Sequence, residues 1–152
     1  MRTKVILYVC LLLGSYASQA QFIEDEGPIR QTIFRLFRAT QIGDTATVRA
    51  CFHPSARLQT VTTDPNTGVT ILETTTVEDY IAQVQRILEK QILIEERVTM
   101  SEIESDLPLA SVWANYDFYV DGNKTHSGID AFQLIKTQEG WKIIQLSDTR
   151  KK

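Results

Sequence analysis

Apolar and polar positions change rhythm three times along this chain, and each change marks a different element. First comes an unbroken apolar run, Val5 to Leu13, interrupted only by Tyr8. Arg2 and Lys4 precede it, and Ser18-Gln19-Ala20 follows. A positive start, a short apolar middle and small residues at the two positions a signal peptidase reads make an export signal, with cleavage expected after Ala20. The run is far short of the ~20 residues a membrane-spanning helix needs, so no stable membrane insertion is expected after cleavage. Cys10 sits inside the run and not at the cleavage point, where a lipid-anchored cysteine would stand. The expected organisation is a signal peptide over 1–20 and a single domain over 21–152, exported to the periplasm or secreted.

Beyond an arm at 21–26, helical spacing takes over. Ile29, Ile33, Leu36, Phe37 and Thr40 share one face, with Pro28 suited to a first helical turn and Gly43 to a stop. Asp44 can cap a short second helix carrying Val48, Cys51 and Phe52, ended at His53 by Pro54. Two β-branched runs follow, Arg57 to Thr63 and Val69 to Thr75, around the turn residues Asp64-Pro65-Asn66-Thr67-Gly68. Thr76 with Asp79 three residues later reads as a capping box. It opens an amphipathic helix with Val77, Tyr80, Ile81, Val84, Ile87 and Leu88 on its apolar face.

The last third alternates with the period of a strand. Ile92 to Glu104, Leu109 to Val120, Lys124 to Thr137 and Trp141 to Ser147 are joined by turns at Asp106-Leu107-Pro108, Asp121-Gly122-Asn123 and Glu139-Gly140. Helices first and a strand meander last define the α+β class, with helices packed on one face of a mostly antiparallel sheet.

Charge and cysteine content narrow the function. The whole chain carries a formal charge of −3, and loss of Arg2 and Lys4 with the leader takes it to −5. That balance argues against a nucleic-acid partner. Cys51 is the one cysteine left, so no internal disulfide can form and the domain must rest on its core. No Gly-rich phosphate loop, Gly-x-Ser-x-Gly elbow or Cys-x-x-Cys occurs, and two histidines without a paired pattern do not make a metal motif. No cofactor and no metal is expected. Asn123-Lys124-Thr125 matches a glycosylation sequon, which matters only in a eukaryotic source.

Strand parity then nominates a pocket. Val112, Ala114, Tyr116, Phe118 and Val120 share the more apolar side of their strand, which should face the helices. Trp113, Asn115, Asp117 and Tyr119 share the other, a mixed aromatic and polar face suited to a homodimer interface. On the next strand, inward Phe132 and Leu134 carry Asp130, Gly128 and His126 to the same side. An imidazole and a carboxylate would thus enter an apolar interior roughly 13 Å apart at ~3.3 Å per residue, too far for direct contact. A β-bulge between them would turn Asp130 outward. The candidate catalytic set is His126 as general base, Asp130 as acid or orienting group and Tyr116 polarising an oxygen. The candidate pocket lining is His53 and Arg57 at the rim with Val112, Ala114, Phe118, Phe132 and Leu134 inside.

Several local strings and the order of elements resemble the nuclear transport factor 2-like superfamily. These are Ile29 to Asp44, Cys51-Phe52-His53-Pro54-Ser55-Ala56-Arg57-Leu58, Tyr116-Asp117-Phe118, His126 to Leu134, and Gly140-Trp141-Lys142-Ile143. The likeness is strongest to the exported bacterial branch described as "putative lumazine-binding" or polyketide-cyclase-like. The resemblance implies a bacterial source and a cone of three N-terminal helices on a curved, mixed, mostly antiparallel sheet. It implies no single activity, since one fold hosts many functions. Ketosteroid isomerases of the superfamily use a carboxylate base near the first hairpin, where this chain has Gln59, Thr60 and Thr62. Three readings follow: a binding module for a hydrophobic or aromatic small molecule, a cofactor-independent lyase, isomerase or cyclase, and a dimerisation or scaffold domain.

Overall fold

A computed structural model describes residues 26–151. The expected leader at 1–20 and most of the expected arm at 21–26 lie outside the described residues. The first helix, α1, covers residues 26–42, with Pro28 in its first turn. Gly43 ends it at φ +72°, the left-handed conformation glycine adopts at no steric cost, and the Asp44 amide donates back to the Ala39 carbonyl at 2.9 Å. Asp44 then caps α2 (Thr45–Cys51) by accepting from the Thr47 amide at 3.0 Å.

The short helix ends sooner than its proline suggests. Phe52 is already extended, at φ −96° and ψ 147°, and β1 spans Phe52–Thr63. Proline disfavours helical backbone at His53 before it, and Phe52 pairs with Ile143, so the chain enters the sheet before reaching Pro54. The turn at 64–68 is built on Asp64, whose Oδ1 accepts from the Asn66 and Thr67 amides at 2.8 and 2.9 Å. It leads to β2 (Thr70–Thr75). The capping box forms as the sequence predicts: Thr76 Oγ1 accepts from the Asp79 amide at 3.0 Å, opening α3 (Val77–Glu89).

Four long strands follow: β3 (Ile94–Asp106), β4 (Leu109–Val120), β5 (Asn123–Thr137) and β6 (Gly140–Thr149). The six-stranded sheet has the order β2-β1-β6-β5-β4-β3, antiparallel throughout except where β1 lies parallel to β6. That parallel pair places the first hairpin beside the last strand and makes the sheet mixed.

The apolar face of α1 (Ile29, Ile33, Leu36) is fully buried against Phe132, Leu134 and Ile143 of the sheet, with Val48 and Cys51 of α2 in the same cluster. Phe37 meets Phe132 edge to face at 6.1 Å between centroids. Burial on β4 alternates strictly from Leu109 to Tyr116, leaving Trp113 half exposed on the outer face. No described helix is long and apolar enough to cross a membrane.

Candidate functional site

The sheet and helices bound a partly open cavity of about 280 Å³. That is room for roughly nine water molecules at the ~30 Å³ each occupies in the liquid. Its apolar wall comes from Phe37 of α1, Leu58 of β1, Val84 and Ile87 of α3, Phe118 of β4 and Leu146 of β6. Its titratable groups are Tyr80, Glu96, Tyr116, His126, Asp130, Asp148 and Arg150.

Register explains how these groups meet. Pairing of β4 with β5 is unbroken from Leu109↔Ile135 to Phe118↔His126, and the one irregularity falls beyond it, between Phe118 and Tyr119. Asp130 therefore keeps the inward parity of Phe132 and is 3 % exposed. On β6 the register shifts between Gln133 and Leu134, leaving Ile144 without a partner of its own. That bulge moves the inward frame from Trp141 and Ile143 to Leu146 and Asp148, and sets Asp148 directly across from Asp130. Like charges in a cross-strand pair repel. Glu96 arrives from β3, in the inward frame of Ile94 and Val98, opposite Phe118.

The three carboxyl groups differ in how they are held. Asp148 is well partnered: Thr60 Oγ1 donates to it at 2.6 Å and Arg150 Nε at 3.1 Å. Glu96 and Asp130 lie in hydrogen-bond contact with each other, which two carboxyl groups maintain only while a proton sits between them. Among the described residues, no amide, hydroxyl or basic group reaches Asp130 Oδ2. Burial, then the Glu96 and Asp148 carboxyl groups, hold the Asp130 acid well above the usual carboxylate range. Burial, first of all, pushes Glu96 up to about 7. The two titrate as one unit that keeps a proton near neutrality.

The neighbouring groups are committed elsewhere. Tyr116 donates its hydroxyl to the Thr149 carbonyl at 2.8 Å, and the Tyr80 hydroxyl shares a 2.9 Å hydrogen bond with Thr40. Burial raises both phenols, so they stay neutral. His126 stacks on Phe118 at 4.9 Å, sits edge-on to Tyr116 at 5.8 Å, and engages Thr125 through Nδ1 at 2.9 Å. Burial, then Arg150, lowers its pKa, favouring the neutral imidazole.

His126, Asp130 and Tyr116 thus all line one cavity, as does Phe118. Tyr116 pairs with Gly128, midway between the other two along β5, but its hydroxyl turns to β6 and joins neither. Val112, Ala114, Phe132 and Leu134 lie in the packed core and not on the cavity wall, because α1 fills that end of the cone. His53 lies elsewhere. Its Nδ1 is held by Ser55 at 2.7 Å, and it lines an open groove with Arg49, Glu78 and Lys142. Arg57 is exposed on β1. The groove of His53 is larger, about 700 Å³, but among the described residues no buried unpartnered polar group lines it.

Sequence reasoning missed Glu96, Asp148, Tyr80, Thr60 and Arg150. Glu96 had a readable signal, a carboxylate in the apolar frame of Ile94, Val98 and Met100. Asp148 had none, because its orientation depends on the bulge at Ile144. Among the described residues, no group of three His, Cys, Asp or Glu side chains is arranged to hold a metal ion.

Comparison with known proteins agrees with this architecture. Solved structures superpose over most of the chain. An NTF2-like protein with a cystatin-like fold from Novosphingobium aromaticivorans has a TM-score of 0.68 at 12% identity, covering 91% of this chain and 89% of its own. A conserved protein from Planctomyces limnophilus reaches 0.64 at 18% identity, covering 84% and 97%. An NTF2-like protein from Cytophaga hutchinsonii reaches 0.60 at 20% identity, covering 81% and 95%. At these identities the likeness establishes the fold. No curated protein matches the sequence. The profile of one family, described as "Putative lumazine-binding", matches residues 24–147. The chain belongs to that family, and its fold is the nuclear transport factor 2-like α+β cone.

Proposed function

We propose that this protein is an exported binding module that holds one small, partly apolar molecule inside its cone. The observation that carries the reading is the partly open cavity of about 280 Å³, with an apolar wall and a buried carboxyl oxygen, Asp130 Oδ2, that no amide, hydroxyl or basic group of the described residues reaches. Buried polar groups are almost always hydrogen-bonded, and a ligand that supplies the missing donor would complete this one. The volume suits one bicyclic molecule, the size of the lumazine in the family description.

Expressed with its leader in a bacterial host, the protein is expected in the exported fraction with the mass of residues 21–152. Amide chemical-shift mapping of that material with indole, phenethyl alcohol and lumazine should then show saturable shifts confined to cavity residues. A flat response to all three, or shifts scattered over the surface, would end the pocket reading.

A cofactor-independent lyase, isomerase or cyclase is the second reading, and one observation favours it: the Glu96–Asp130 pair holds a proton that could be handed to a bound molecule near neutral pH. Binding remains the better-supported reading because the Tyr116 hydroxyl and His126 Nδ1 are already engaged by Thr149 and Thr125, so no relay joins them to the carboxyl pair.

The outer sheet face supports the proposal of a homodimer. Trp113 is 50 % exposed there, and Arg97 stacks over the Tyr119 ring at 4.1 Å. Wild-type protein is expected to elute as a dimer in size-exclusion chromatography and Trp113→Asp as a monomer. An unchanged elution volume for the variant would show that this face is not the interface.

A further inference from the structure

The charges around the cavity are unbalanced. Glu96, Asp130 and Asp148 bring three carboxyl groups to it, and Arg150 is the only guanidinium or ammonium group among its lining residues, His126 being the one imidazole. That guanidinium is already committed to Asp148 at 3.1 Å and to Thr60 at 3.4 Å, with half its surface in solvent. No basic group of the described residues is paired with Asp130, which is 3 % exposed with Oδ2 reached by no amide, hydroxyl or basic group. Close by stand four aromatic rings: Phe37, Tyr80, Tyr116 and Phe118.

Ring faces carry partial negative charge and attract cations, most strongly where water is excluded. A buried carboxylate offers an organic cation the charge-assisted hydrogen bonds that offset its desolvation. An anionic ligand would meet three carboxyl groups and, among the described lining residues, no unpaired guanidinium or ammonium group to balance it. On the reading of the cavity as a ligand pocket, we propose that the ligand is a small organic cation. It would be a protonated amine or amidine on an apolar ring, donating its N–H groups to Asp130 Oδ2 and the Glu96 carboxyl group.

Binding such a cation would displace the proton shared by Glu96 and Asp130. The other charged or titratable groups facing that pair are Tyr80 of α3, Tyr116 of β4, His126 of β5, and Asp148 and Arg150 at the end of β6, while α1 and β1 present Thr40 and Thr60. An alkylamine keeps its charge across pH 5–8. The cation should therefore bind more tightly as pH rises and the pair gives up its proton.

The test is calorimetric titration of the purified protein at pH 8 with three probes of one shape: phenethylamine, phenethyl alcohol and phenylacetate. The amine is expected to bind at least about tenfold tighter than the alcohol, and phenylacetate weakest. The amine's advantage should shrink at pH 5 and collapse in both Asp130→Asn and Glu96→Gln. An amine that binds no tighter than the alcohol, a tighter phenylacetate, or an advantage that survives both substitutions overturns the proposal. If the alcohol binds in the cavity and the amine gains nothing, cation recognition fails while the pocket stands. If no probe binds, cation recognition fails, and chemical-shift mapping decides the pocket separately.

Discussion

Gly128→Ala is expected to destabilise the domain by about 2–4 kcal/mol and to lower Tm by roughly 10 °C in thermal denaturation followed by circular dichroism. The cause is space and not backbone conformation. A Cβ at Gly128 would lie 1.8 Å from the Thr149 carbonyl oxygen and 2.7 Å from Tyr116 Cε1. The first of these is backbone and cannot swing aside. Tyr116 lies across this glycine, its cross-strand partner, to donate to that same carbonyl at 2.8 Å.

Relief of the clash must therefore push the end of β6 outward or lift the Tyr116 ring, and either movement breaks the hydrogen bond. Ile129 and Ser127 anchor the same segment, through Thr149 Oγ1 at 3.1 Å and the Lys151 carbonyl at 3.0 Å. Asp148 and Arg150 flank Thr149, so the site loses its shape together with its stability. Gly27→Ala is the control. No atom lies within 4 Å of its added Cβ, and the position is helical, so the change should be neutral or slightly stabilising. A Gly128→Ala variant as stable as wild type would show that the strand end adjusts freely.

Asp130→Asn is expected to act in the opposite direction, raising stability by about 1–3 kcal/mol above pH 7 while removing the selectivity of the cavity. The sign follows from where protons are bound. Both Glu96 and Asp130 hold their protons more tightly in the folded chain than in the unfolded one, Glu96 up to about 7 and Asp130 well above its ordinary range. Below about pH 4 the groups are protonated in both states and nothing is lost. As pH rises past 4 the unfolded chain ionises freely while the folded pair resists, so folding stability falls until the pair itself gives up its proton.

An asparagine at 130 removes the repulsion with Glu96 and with Asp148, its partner across the strand. Its amide can also donate to the Glu96 carboxylate without any proton between them. Urea denaturation of wild type and variant at pH 4, 6 and 8 should show curves that agree at pH 4 and diverge upward. A variant less stable than wild type at pH 8 would mean that the Asp130 carboxyl group has a stabilising partner.

The sequence alone determined the elements and their sides. Helical spacing over Ile29 to Thr40, the Thr76–Asp79 capping box, the Asp64–Gly68 turn and the alternation of β4 are all local features, set by contacts within a few residues. They hold in the folded chain. The same locality placed Asp130 and His126 on one face, because the strand between them carries no bulge.

Features that depend on distant partners were settled only by the tertiary structure. Phe52 leaves the helix early because β6 offers a parallel partner at Ile143, ninety-one residues on. Val112, Ala114, Phe132 and Leu134 face inward as their parity requires, yet α1 decides that they form packed core and not cavity wall. Asp148 turns inward because of the bulge at Ile144, a register choice made between strands and not within one. Glu96 reaches Asp130 from two strands away because the sheet curls, and curl is a property of all six strands together. Periodicity can state which way a side chain points. Which side chains meet at the bottom of a curved sheet is a matter of long-range pairing.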